Sequence, residues 1–125
     1  MVTVKKIMKY VFLAYGDEKR LEAMSTGERD AFENACLAND EMLRKSGHLL
    51  AMEGLQSSRT ATTVRVRNGK VSVTDGPFVE ANEQLIGLFF INARDLNEAI
   101  HVASKMPQVR GGPIEVRPMM EFDQQ

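Results

Sequence analysis

The residues best equipped for chemistry lie in one short stretch, Asp75-Gly76-Pro77-Phe78, with Glu80 and Glu83 just beyond it. Gly76 and Pro77 force a turn after a strand-like alternation. A carboxylate there can move a proton as a general acid or base, or hold a polar ligand. It can equally accept backbone N–H bonds and cap its own turn. Phe78 is expected to anchor the turn in the core, with stacking on a ligand as its functional alternative. Glu80 and Glu83 could join Asp75 in a carboxylate cluster that raises one pKa, or bind a divalent cation. Their spacing is not that of a calcium loop, and no histidine or cysteine is near in sequence, so a solvated acidic loop is expected.

A second set is more dispersed. Glu53 sits in a strand-like segment, and Arg65, Arg67 and Arg117 alternate with apolar residues in others. Brought together, these arginines and Glu53 would line a cleft for an anionic ligand; the plain alternative is salt bridging at a sheet edge. His48 follows Gly47 and reads as a surface or turn residue. His101 falls off the apolar face of its segment, so solvent is its expected place. Cys36 falls on an apolar helical stripe, where a thiol is inert packing. There is no phosphate-binding Gly-Lys-Ser/Thr loop, dinucleotide glycine pattern, zinc spacing or nucleophile elbow. No cofactor and no metal are expected.

These residues need a scaffold, and 125 residues suit one domain spanning the whole chain. The 16 basic and 17 acidic residues nearly cancel. That argues against a nucleic-acid partner, which selects a basic excess. A basic ribbon over "VRVR" is disfavoured on the same ground. The N-terminal apolar run is broken by Lys9 and Tyr10, and the run from Leu85 to Ile91 is too short to span a bilayer. No membrane association is expected. The single cysteine excludes an intrachain disulfide and fits a cytoplasmic location.

A first strand is read over Lys6 to Tyr15, then a polar loop through Arg20. Ser25 with Glu28 three residues on forms a capping-box pattern. The helix after it places Phe32, Ala35, Cys36, Met42 and Leu43 near one face, and Gly47 stops it. "HLLAMEGL" is a second strand. "ATTVRVRNGKVSVT" is a hairpin, because Asn68-Gly69 suits a two-residue type I′ turn. "QLIGLFFINA" is a buried strand. Asp95 and Glu98 open a second helix with Leu96, Ala99, Ile100, Ala103 and Met106 at helical spacing, ended by Pro107. The last strand begins near Pro113, and Pro118 places it at an edge. Met8, Met42 and Met106 fall at core positions, with Met119 and Met120 assigned to an interface. Strand–helix–strand, hairpin, strand–helix–strand predicts an α+β, ferredoxin-like sandwich with an inserted β-hairpin.

The first strand is apolar on both sides: Ile7, Val11, Leu13 and Tyr15 on one, Met8, Tyr10, Phe12 and Ala14 on the other. In the strand after the turn, Leu85, Phe89 and Ile91 alternate with Ile86, Leu88 and Phe90. Two helices cover one sheet face only. An uncovered apolar face exceeds what monomers usually tolerate. A second copy of the chain, packed sheet to sheet about a two-fold axis, is the expected partner.

At these residues the sequence resembles the DGPF-domain branch of the YCII-related proteins. The resemblance runs over nearly the whole chain and rests on "TTVR", "DGPF" and "EVRP" in that order. It implies a ferredoxin-like protomer in a dimeric α/β barrel. It also implies an association with extracytoplasmic-function sigma factors, hence a signalling context. Related proteins are similar to small enzymes with a histidine–aspartate pair in a cleft. Asp75 matches the aspartate, but the first helix here has no histidine. Ala81 and Asn82 stand where the family has a threonine and a lysine. The first functional reading is therefore a homodimeric small-molecule binding or sensing protein, with a small organic ligand near Asp75, Phe78, Glu80, Glu53, Arg65 and Arg117. The alternative is a small lyase or isomerase in which Asp75 moves a proton and Arg117 holds an anionic group. A third is a structural partner without a pocket.

Overall fold

The computed structural model describes residues 8–121. Lys6 and Ile7, assigned above to the first strand, lie outside the described residues. The chain forms β1 (Met8–Asp17), α1 (Glu18–Glu22), α2 (Thr26–Lys45), β2 (Leu49–Gly54), β3 (Thr62–Arg67), β4 (Lys70–Asp75), β5 (Glu83–Ala93), α3 (Leu96–Lys105) and β6 (Ile114–Pro118). Two 3₁₀ turns, Ser58–Thr60 and Pro107–Arg110, precede β3 and β6. The order matches the sequence reading, with α1 added. The segment read as a polar loop is helical because Asp17 caps it, accepting from the backbone N–H groups of Lys19 and Arg20.

Four strands make an antiparallel sheet in the order β2-β5-β1-β6. Each strand–helix–strand unit thus skips one neighbour, β5 lying between β1 and β2 and β1 between β5 and β6. The hairpin β3–β4 is a separate two-stranded sheet. Asn68 and Gly69 both have positive φ, 51° and 76°, as the type I′ turn requires. The two sheets do not close into a barrel. Pro118 ends β6, an edge strand, where its missing N–H costs no ladder bond. No helix among the described residues is long and apolar enough to cross a membrane.

The core lies between the sheet and the helices. Tyr10, Phe12 and Ala14 of β1 and Phe89, Ile91 and Ala93 of β5 face Leu43 of α2 and Ala99, Val102, Ala103 and Met106 of the α3 region. Several helix readings shift. Met42 is 57% exposed, because α2 turns Asp40 and Leu43 inward instead. In α3 the buried stripe includes Val102, whereas Leu96 and Ile100 are half exposed. Met8 is also at the surface, 37% exposed, since the buried series of β1 starts at Tyr10, while Met106 is buried as expected.

A β-bulge also changes the faces of β5. Its register against β1 runs Ala14↔Gly87, then Tyr15↔Leu85. Ile86 is the extra residue; it packs against the core, and Leu85 moves opposite Tyr15 on the other face. Strict alternation assigned these two the other way round. The open face therefore carries Val11, Leu13 and Tyr15 beside Leu85, Leu88 and Phe90, bordered by Glu53 on β2 and Glu115 and Arg117 on β6.

Where β6 begins, the backbones of Gly112 and Gly16 run against each other, and the Tyr15 N–H donates to the Pro113 carbonyl at 3.0 Å. A Cβ on Gly112 would sit on the Tyr15 carbonyl oxygen, which is backbone and cannot swing aside. Gly112→Ala is expected to cost about 3 kcal/mol or more in urea denaturation. Gly111→Ala, whose Cβ would meet its nearest atom at 3.5 Å, serves as the near-neutral control. Equal stability of the two variants would refute this account of the close approach.

Candidate functional site

The turn residues come first. Asp75 ends β4, paired with Thr62 of β3, and its side chain is exposed. The turn is held by backbone, not by this carboxylate: the Gly76 N–H donates to the Ala61 carbonyl at 2.7 Å, and the Thr63 hydroxyl to the Gly76 carbonyl at 2.8 Å. Gly76 has φ of 102°, which its lack of a Cβ permits. The Asp75 carboxylate thus faces solvent without a side-chain partner among the described residues.

Phe78 does not anchor the turn in the core. It is 68% exposed, and the Arg65 guanidinium stacks over its ring at 4.6 Å from the centroid. The projecting hairpin carries the turn past the edge of the core, and the arginine is what the ring finds there. Beyond it, the Gln84 side-chain amide donates to the carbonyls of Val79 and Ala81, shaping the acidic loop. Glu80 lines a shallow hollow of about 330 Å³ with Glu18, Ser58, Arg59 and Pro77. No group of three or more Asp, Glu, His or Cys residues among those described is placed to hold a metal ion.

The dispersed set does not converge. Arg65 and Arg67 lie with Lys70 along the polar face of the hairpin, lining a hollow of about 550 Å³. Glu53 and Arg117 lie on opposite edge strands of the other sheet. The Arg117 Nε is 3.7 Å from Glu115, and the Tyr15 hydroxyl donates to the same carboxylate at 3.4 Å. Desolvation, then the negative charge of Glu115, pushes the Tyr15 phenol above its usual range.

The structure offers a cavity that the sequence reading missed. It measures about 380 Å³ and opens between α1, the first half of α2 and the loop after β2. Leu21, Met24, Phe32, Leu55 and Ile86 form an apolar floor, and Glu18, Glu22, Glu33 and Arg29 stand among the walls. Neither Asp75, Glu53 nor Arg117 lines it. Its walls are tied by polar contacts between distant segments. The Glu18 carboxylate accepts from the Ser57 hydroxyl at 2.6 Å and the Ser58 N–H at 2.8 Å. Arg59 pairs with Glu22 at 2.7 Å. The Arg29 guanidinium donates to the Leu21 and Glu22 carbonyls, fastening α2 to the end of α1. The only sequence sign was a run of charge after Gly16, which does not reveal its partners 39 positions on.

Three other groups were candidates for chemistry. His48 is not a bare turn residue: its ring lies 2.7 Å from the Ser46 hydroxyl and 3.2 Å from the Glu98 carboxylate. The order Ser–His–Glu invites comparison with a nucleophilic triad. However, the Ser46 hydroxyl donates to the Leu43 carbonyl as part of the end of α2, so the chain acts as a tie between α2, β2 and α3. His101 is exposed, as expected. Cys36 is half buried; desolvation, then the nearby Asp40, pushes its thiol up to about 11, which favours the neutral thiol over the thiolate. Burial likewise raises the pKa of Asp40, against a hydrogen bond from Gln108.

The YCII-related domain model matches residues 8–123. The chain belongs to the YCII-related family. It is 32% identical over 114 residues to an uncharacterised protein of Rhizobium meliloti (strain 1021), covering 90% of this chain and 92% of that relative.

The cavity tie gives this YCII-related protein a pH signature. The Ser57 hydroxyl, then Ser58, holds the Glu18 carboxyl below its ordinary value of 4.5. A folded-state pKa below the unfolded one adds stability above the unfolded value and loses it as pH falls through the folded value. Glu18→Gln is therefore expected to be less stable than wild type at pH 7. The gap should close below pH 4.5. Urea midpoints from pH 7 downward measure it, and a gap independent of pH would remove the tie from the account.

Proposed function

We propose that this protein is a homodimeric binding or sensing protein for a small organic molecule. The observation that carries the binding is the open, apolar-floored cavity of about 380 Å³ beside Glu18. Its size falls in the range of small-ligand sites, and Glu18, Glu22, Arg29 and Ser57 in its walls are already held by hydrogen bonds or an ion pair. The adjoining hollow, which shares Glu18 and contains Glu80, extends the site toward the turn after Asp75. The resemblance to the DGPF branch, with its sigma-factor association, supports a regulatory use of that binding.

Assembly is supported by the open sheet face. The strand order β2-β5-β1-β6 suits a ferredoxin-like protomer. Six apolar side chains stand on the side away from the helices, and a charged border surrounds them. A second copy packed on this face gives the dimeric barrel. The hairpin adds to the demand: Val64, Val66, Val71 and Val73 share one face and are each more than 60% exposed. A two-stranded ribbon is marginal alone in water.

An enzyme built on Asp75 needs a second acid–base group beside it and a pocket around it. The exposed carboxylate at the end of β4 supports binding by charge more readily than proton transfer.

Two measurements test the proposal. Analytical ultracentrifugation is expected to give the mass of two chains at micromolar concentration. Leu13→Glu, on the open face and away from the core, should keep the fold and weaken the dimer at least about a hundredfold. A folded wild-type monomer would end the barrel reading. In a thermal-shift screen of small organic compounds, some class is expected to raise the melting temperature, and Leu55→Trp, which fills the cavity, should abolish the shift. Shifts that survive Leu55→Trp but vanish with Asp75→Ala would move the site to the turn.

A further inference from the structure

We propose that the cavity between α1 and α2 selects a compact organic cation, an aryl- or alkylammonium; this rests on the cavity being the binding site. The floor sets the body of the ligand. Leu21, Met24, Phe32, Leu55 and Ile86 offer apolar surface without a single fixed polar group among their side chains. The charge sets its head. Three carboxylates, Glu18, Glu22 and Glu33, stand in the walls against one guanidinium, Arg29.

The surrounding contacts sharpen this count. Arg29 is engaged, since one of its terminal nitrogens donates to the Leu21 and Glu22 carbonyls. Glu22 is engaged too, by Arg59, which is not part of the cavity wall. Glu18 and Glu33 have no ion-pair partner among the described residues. Glu18 accepts only neutral donors, the Ser57 hydroxyl and the Ser58 N–H, which fix its carboxylate and leave further lone pairs free. Each neutral donor favours the ionised form without cancelling its charge.

The result is an apolar floor beneath two carboxylates that have no ion-pair partner; with Arg29 in the wall and Arg59 acting on Glu18 through space, one net negative charge is left over. An ammonium group satisfies these carboxylates by charge-assisted hydrogen bonds while its hydrocarbon part covers the floor. A carboxylate or phosphate ligand would meet repulsion from Glu18 and Glu33, with only the part of the Arg29 guanidinium not bound to the Leu21 and Glu22 carbonyls to answer it. The Phe32 ring adds a face on which a cation is attracted. The arginines of the hairpin, which suggest an anion, lie outside this cavity.

Isothermal titration with three probes of one shape decides it: phenethylammonium, 2-phenylethanol and 3-phenylpropionate. The ammonium is expected to bind at least about tenfold more tightly than the alcohol, the scale of one charge-assisted hydrogen bond, and the carboxylate more weakly still. Raising the salt concentration should weaken the ammonium alone. Glu33→Gln, at an exposed helical position with no hydrogen bond or ion pair among the described residues, should keep the fold and remove most of that preference; Glu18→Gln should do so as well, at the cost of the loop tie. If the carboxylate or the alcohol binds as well as the ammonium, the cavity stands as a site and its charge selectivity is refuted. Ammonium binding that ignores Glu33→Gln and salt refutes the selectivity too. If no probe binds at millimolar concentration, the cavity fails as a site altogether.

Discussion

The constraint on which this molecule depends is a sheet with two apolar faces and helices for only one of them. β1 sends Tyr10, Phe12 and Ala14 into the core and Val11, Leu13 and Tyr15 the other way. β5 repeats the pattern with Phe89 and Ile91 against Leu88 and Phe90. Each buried large apolar side chain contributes about 1.5–3 kcal/mol, so the inner face supplies the stability of the chain. The outer face holds the same kind of surface, half buried, with no helix of the core packed on it among the described residues. The proposed dimer is the simplest arrangement that uses it, because a two-fold axis lets one patch cover its own copy.

The cavity arises from a second constraint. Near the end of β1, a gap stays open between α1, the first half of α2 and the loop after β2. α1 and the loop after β2 close part of that gap, and they do so by polar contacts: Glu18 to Ser57 and Ser58, Glu22 to Arg59, Arg29 to the end of α1. A hydrophobic plug there would have made a larger core. Polar ties leave Leu21, Met24, Phe32, Leu55 and Ile86 accessible to a guest. The proposed function follows from this incomplete filling.

Much of the fold was legible in advance, for local reasons. Ser25 and Asp95 cap their helices through the N–H of Glu28 and Glu98, as the residue types imply. Asn68-Gly69 makes its turn from its own dihedral preferences. The site was less legible. Phe78 looked like a core anchor because an aromatic ring in a turn has nowhere else to go in one dimension; in space it found Arg65. The bulge at Ile86 exchanged the faces of two residues, an event that alternation alone does not announce. Asp40 read as one polar helix residue among many, yet it is 3% exposed beside Gln108, 68 positions away.

By itself, the sequence determined the elements other than α1, their order, the hairpin turn and the double-sided strands, together with membership of the YCII-related family. These depend on dihedral preference, capping and periodicity, which act over a few residues. Only the tertiary structure decided that Glu18 would meet Ser57, that Glu53 and Arg117 would stand at opposite edges, and that an apolar cavity would open beside α1. Those outcomes are set by which distant segments share space, and no spacing along the chain encodes a distance across it.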